Sequence, residues 1–241
     1  MNPVPRSLRV ETLGEVAYRP MLARQRRRHQ EVRDGADDTL FLLEHSPVVT
    51  LGKNSGAKNV LLSPELLARR GIELVETDRG GDVTYHGPGQ LVGYPILLLR
   101  RDERDVGAYV FALEEILIRT VADFGVTAQR VAGLRGIWVG NEKIAAIGVR
   151  IACWTTLHGF ALNVNTDLDG FACIVPCGLH DRGVTSLQKV LGKTLDMTEV
   201  IAHLTPHAGA VLHRTIVPAP ASSLELPTPE PSAIAQLRAQ G

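Results

Sequence analysis

RGGDVTYHGPGQ, residues 79–90, sets four glycines and a proline around a short strand-like core. Glycine reaches φ > 0 and leaves room where a side chain would collide with a ligand. Val83-Thr84-Tyr85 carries the β-branched and aromatic bias of a strand. Taken alone, the stretch reads as a hairpin with glycine turns. Arg79, Tyr85, His86 and Gln90 add four hydrogen-bonding side chains to the same segment, which turns the reading toward a substrate-binding wall.

The strand pattern extends to both sides. Leu40–Glu44 and Val48–Leu51 read as strands joined at Ser46-Pro47, and Ile72–Glu76, Val83–His86 and Leu91–Leu99 continue the β series. Ahead of them, Glu15 to about Arg33 favours helix, with Tyr18, Leu22 and Ala23 apolar and a basic run from Arg24 to His29. That run reads as a solvated face, or as an electropositive pad, Arg24 to Arg28, for an acidic carrier protein or a phosphate. From Val106 to Phe124, Val110, Leu113, Leu117 and Val121 recur at helical spacing and Gly125 follows as a stop, which predicts a core-facing helix. Ile137–Val139 and Lys143–Ile151 flank the turn dipeptide Gly140-Asn141, and Leu157–Val164 adds a further strand. Along Lys143–Ile151, Ile144, Ala146 and Gly148 lie on one side, leaving small residues to make room. Thr198–Arg214 is amphipathic and helical with an interruption expected at Pro206.

These elements fit one α/β domain over residues 1–216, a mixed sheet with flanking helices. The Pro- and Ala-rich stretch 217–241 reads as a mobile tail. Lys+Arg and Asp+Glu both total 26, so net charge makes no case for nucleic acid. The start of the chain lacks an apolar signal core, and the longest aliphatic run, Ile96 to Leu99, is far short of a membrane span, so a soluble cytoplasmic protein is expected. Cys153, Cys173 and Cys177 are an odd number without an export signal, which argues against a disulfide framework.

Cys177 sits in Val175-Pro176-Cys177-Gly178, where proline fixes the approach and glycine permits a sharp turn beside the sulfur. A free thiol titrates near ~8.5 and becomes a good nucleophile at neutral pH beside a cation or a helix N-terminus. Lys143, on a strand otherwise built from Ile, Ala, Gly and Val, is the candidate cation, since an ammonium there is costly without a partner or a task. The bland readings are a small buried hydrophobe for Cys177 and a snorkelling lysine for Lys143. Cys173, Cys177 and His180, with Cys153 and His158, resemble part of a zinc motif, but no second C-x2-C knuckle exists and no metal is assigned. No G-x-S-x-G elbow and no G-x-x-x-x-G-K-[ST] loop is present.

Taken in order, RGGDVTYHGPGQ, GNEKIAAIGVRI, HGFALNVN and PCG resemble the lipoyl(octanoyl) transferases from about Leu40 to Leu191. The resemblance implies a fold like the catalytic domain of biotin and lipoate protein ligases. It implies Cys177 as acyl-thioester nucleophile and Lys143 as its partner. It places Arg79, Gly80, Gly81, Asp82, Val83, Thr84, Tyr85 and His86 along the acyl pocket, with no individual role for Asp82, together with Ala146, Ile147, Gly148, Gly159, Phe160 and Ala161. It also implies octanoyl-acyl carrier protein as donor, and lipoyl domains of 2-oxoacid dehydrogenase acyltransferase subunits and the glycine cleavage carrier protein as acceptors, with no cofactor. Ala145, Ala146, Gly148, Gly159 and Ala161 are expected to leave space for a slim apolar tail. The alternatives are an ATP-dependent lipoate or biotin protein ligase, which needs no thiol, and a zinc-stabilised acyl-binding module.

Overall fold

The computed structural model describes residues 6–55, 59–175 and 182–218. Cys177, His180 and most of the expected tail lie outside them. The large sheet runs β12(Arg214–Pro218), β1(Arg6–Val16), β2(Asp38–His45), β6(Gln90–Ile96), β10(Thr155–Asn163), β9(Glu142–Ala152), β8(Leu134–Val139), β7(Gln129–Val131), with β11(Gly183–Val184) also paired to β9. The β12–β1, β1–β2 and β11–β9 pairs are parallel and the rest antiparallel. A small second sheet orders β4(Glu73–Glu76), β3(Val48–Leu51) and β5(Thr84–His86).

Both faces of the large sheet are covered, so its central strands carry apolar residues on both sides. In β2, Leu40 and Leu42 join the core under α3(Val106–Asp123) and α5(Met197–Leu212), while Phe41 and Leu43 join Met21 and Val32 of α1(Tyr18–Arg33) on the opposite face. Asp105 caps α3 by accepting from the Ala108 N–H at 2.9 Å, and Gly125 follows the helix at φ 77°. The helix α2(Pro64–Arg69) supports the small sheet, and α4(Leu187–Leu191) follows β11.

Several expectations are corrected. Residues 6–16 form a strand where the sequence suggested no element before Glu15, and the helix begins only at Tyr18. Both partners of β1 are parallel and remote in the chain, so local pattern gives little sign of it. Pro206 does not interrupt α5, which runs through it to Leu212. The strand β12 reaches Pro218, past the expected start of the tail at residue 217. The basic run is not a uniform pad. Arg24 is buried with its Nη2 2.6 Å from Glu11 Oε2, Arg28 donates to Thr39 and Glu31, and His29 is buried beside the Ala152 carbonyl. Only Arg26 and Arg27 of Arg24–Arg28 are exposed. The Gly140-Asn141 turn joins β8 to β9 as the sequence predicts, with Gly140 at φ 57°.

Candidate active site

The site is built where β8 leaves β9. The two strands pair only from Glu142 to Ala145, so the β9 edge beyond Ala145 is released. Segment 78–81 closes on that edge, with the Gly80 N–H donating to the Val149 carbonyl at 2.9 Å. Arg79 ties the same segment to the small sheet, its guanidinium donating to the Thr50 carbonyl at 2.7 Å and to Thr50 Oγ1 at 2.9 and 3.2 Å. Lys53 and Asn54 add backbone bonds to the Arg79 and Gly81 carbonyls. The glycine-rich stretch thus bridges two sheets and walls a cavity of about 620 Å³.

Every described residue that the sequence singled out for the pocket lines this cavity except Tyr85 and Ala145. Side chains alternate along β5, so Thr84 and His86 face the cavity while Tyr85 packs edge-on against Phe171, ring centroids 5.4 Å apart, inside the small sheet's core. The small residues act differently from the expectation. A Cβ on Gly148 would stand 2.9 Å from the Gly80 carbonyl oxygen, and one on its β10 partner Gly159 would collide with the Gly93 carbonyl. These glycines admit neighbouring backbone. Ala145 is buried in the α3–α5 core, and the facing pair Ala146 and Ala161 are the small side chains of the expected set that line the cavity.

Lys143 is buried at one end, its Nζ 4.8 Å from the centroid of the fully buried Trp138 ring, with the Arg182 guanidinium 5.1 Å from the same ring. The β8–β9 register shifts at this point, Ile137 pairing with Ala145 but Trp138 with Lys143. Such a bulge re-aims side chains. It lets Lys143 and Ala146, which would face opposite sides of a regular strand, line one cavity. β11 continues beside β9 where β10 ends, setting Gly183 against Glu142 and Val184 against Lys143.

The other end is polar, and sequence reasoning largely missed it because Tyr18, Tyr94 and His158 come from three separate elements. The usable signal was His158 and Asn163 inside an otherwise apolar strand. From there a chain of hydrogen bonds runs back toward Lys143: His86 Nδ1 donates to Gln90 Oε1 at 2.7 Å, Gln90 Nε2 to Asn163 Oδ1 at 2.9 Å, Asn163 Nδ2 to the Thr185 carbonyl at 2.9 Å, and the Thr185 N–H to the Lys143 carbonyl at 3.0 Å. His45 donates from Nδ1 to the Val16 carbonyl and accepts from the Tyr94 hydroxyl, both at 2.7 Å. Burial away from water pushes the imidazolium pKa of His45 down to about 4 and that of His86 to about 3, so both rings are neutral near pH 7. Asp78 is the anion of this end. It accepts from His158 Nε2 at 2.7 Å and from Arg150, and the His158 hydrogen bond above all holds its carboxyl far below the usual range. Of the other cysteines, Cys153 is exposed in the β9–β10 turn, and Cys173 is buried with its thiol donating to the Gly170 carbonyl at 2.9 Å. Among the described residues no group of three His, Cys, Asp or Glu side chains is arranged to hold a metal.

The profile of the lipoyl protein ligase A/B catalytic domain matches residues 17–208. The chain belongs to this family. Within the lipoyl protein ligase A/B family, it is 54% identical over 198 residues to the octanoyltransferase of Koribacter versatilis, covering 80% of this chain and 79% of that one. It is 48% identical over 207 residues to the octanoyltransferase of Caldicellulosiruptor bescii, covering 85% and 91%. In structure it is similar to lipoate-protein ligase A bound with ATP, TM-score 0.73 at 19% identity over 92% of each chain. It is also similar to the biotin protein ligase of Aquifex aeolicus in complex with biotin and ATP, TM-score 0.52 at 14% identity over 85% of this chain and 70% of that one. The sheet and helices are therefore those of the lipoate and biotin ligase catalytic domains. Among the described residues no helix is long and apolar enough to cross a membrane.

Proposed function

We propose that this protein is an octanoyltransferase that moves an octanoyl group from octanoyl-acyl carrier protein to a lysine of a lipoyl domain through a thioester on Cys177. The observation that carries the reading is a buried lysine at one end of a cavity with an apolar middle, in a chain half identical to octanoyltransferases. The Cys177 thiolate attacks the thioester carbonyl, the bond to the phosphopantetheine sulfur breaks, and the Lys143 ammonium protonates the departing thiolate. The acceptor amine then attacks the enzyme thioester, an amide forms, Cys177 leaves as thiolate, and the amine proton passes to Lys143. Pairing of β11 with Glu142 and Lys143 supports this partnership, because it brings Val184, seven positions along the chain from Cys177, opposite the lysine.

The wall residues would hold the chain rather than react. Phe160 and Ile147 are register partners on β10 and β9, and Ala146 faces Ala161, so a slim apolar tail meets carbon on both strands. Burial gives about 0.8 kcal/mol per methylene. The ligase reading draws on neighbours alike in fold at 20% identity and lower, whereas relatives near 50% identity are octanoyltransferases.

The test is intact-protein mass spectrometry after mixing with octanoyl-acyl carrier protein, comparing wild type, Cys177→Ser and Lys143→Ala. The expected result is a hydroxylamine-labile octanoyl adduct on wild type, absent from Cys177→Ser and slowed in Lys143→Ala. No adduct on wild type, with ATP-dependent modification of a lipoyl domain instead, would replace this reading with the ligase.

A further inference from the structure

We propose that His158 is the polar stop of the acyl tunnel and sets the length of chain the pocket accepts; this rests on the octanoyl-transfer reading. Three properties that rarely coincide meet in this residue. It is 1% exposed yet lines the cavity. Its backbone is left-handed, at φ 59°, a conformation that non-glycine residues keep only where the surroundings over-determine it. Those surroundings are explicit: the His158 N–H donates to Gln25 Oε1 at 3.0 Å, and Nε2 donates to Asp78 Oδ1 at 2.7 Å.

The carboxylate fixes the tautomer. With Nε2 carrying the proton toward Asp78, Nδ1 presents a lone pair, and among the described residues this buried atom has no hydrogen-bond partner. A hydrocarbon chain that stops short of His158 leaves this acceptor untouched, and one that reaches the ring covers it without offering a hydrogen bond in return.

The distances suit the idea. His158 pairs with Val149 on β9, and at about 3.4 Å per residue Lys143 and Val149 stand roughly 20 Å apart along the strand. An eight-carbon chain of ~1.5 Å bonds zigzags to about 9 Å and fits inside that span, and each added methylene extends it by about 1.3 Å toward the ring.

The test measures kcat/KM for octanoyl-, decanoyl- and dodecanoyl-acyl carrier protein, and calorimetric binding of the free acids, in wild type, His158→Gly and His158→Asn. Glycine relieves the left-handed backbone and removes the stop; asparagine tolerates that backbone and keeps a polar group. The decanoyl-to-octanoyl ratio should rise about fifteenfold in His158→Gly, fourfold for each added methylene that gains an apolar site, and less in His158→Asn. An unmoved ratio in both variants, with octanoyl transfer or octanoic acid binding intact, would overturn the proposal. Equal loss for every chain length in a folded His158→Asn would do so too. If wild type binds the acids with this length dependence but transfers none of them, the transfer reading fails and the stop stands.

Discussion

Gly148→Ala tests whether segment 78–81 is a rigid wall. The new Cβ would lie 2.9 Å from the Gly80 carbonyl oxygen, 3.2 Å from Arg79 Cδ and 3.5 Å from Arg79 Nη1. A carbon-to-oxygen approach is comfortable at about 3.3–3.6 Å, so the carbonyl must retreat by roughly half an ångström. It is not free to do so, because the Gly80 N–H is held on the Val149 carbonyl at 2.9 Å and the Arg79 guanidinium on the Thr50 carbonyl at 2.7 Å. Overpacking against such a site costs about 1–3 kcal/mol, and the reduced freedom of the unfolded chain returns about 0.4–1 kcal/mol. A net loss of about 1–2 kcal/mol lowers Tm by roughly 2–8 °C in a domain of this size. The same displacement shifts the cavity wall, so kcat/KM for octanoyl transfer should fall about tenfold, equivalent to ~1.4 kcal/mol. Calorimetry and steady-state kinetics on one preparation read both. A Tm at or above wild type with unchanged kinetics would show that the segment yields freely and that the wall is not pinned.

Arg24→Ala should lower stability by about 3–5 kcal/mol, read from the denaturant midpoint, because it strands the buried Glu11 carboxylate 2.6 Å away and removes a cation over the Phe41 ring. A solvated pad residue would change almost nothing. Acid should destabilise the protein through His45 and His86: their folded pKa values, about 4 and about 3, lie below the ordinary 6.5, so the unfolded chain binds more protons as pH falls. Stability is therefore full above about pH 6.5 and declines from there toward pH 4, by up to about 1.4 kcal/mol per pH unit for each histidine. Urea melts at pH 7 and pH 5 should show the loss in wild type and a smaller one in His45→Gln, and a flat profile would mean that the rings are not dry.

Some of the site was legible because its chemistry is local. RGGDVTYHGPGQ announces a backbone built for close approach, and all of its expected lining residues but Tyr85 reach the cavity. Tyr85 was misjudged because a strand's alternation decides facing only once the sheet's two sides are known. Arg24 looked like surface because composition cannot tell which side of a helix meets a sheet. Contact with Glu11 on β1, itself unforeseen, and with the Phe41 ring turns the arginine inward.

Local order was thus determined by the sequence alone: strand Val48–Leu51, a strand over Lys143–Ile151 that the structure extends by one residue at each end, the helix from Val106, the Gly140-Asn141 turn, and the lysine standing in an apolar strand. These follow from dihedral preference and periodicity, which act between near neighbours. Tertiary structure decided which glycines admit backbone, where β9 is released from β8, and that Asp78, His158, Tyr94 and Tyr18 meet at one end of a cavity. Those outcomes depend on register and on parallel pairing between distant strands, and a one-residue shift in either would turn the same side chains to the opposite face.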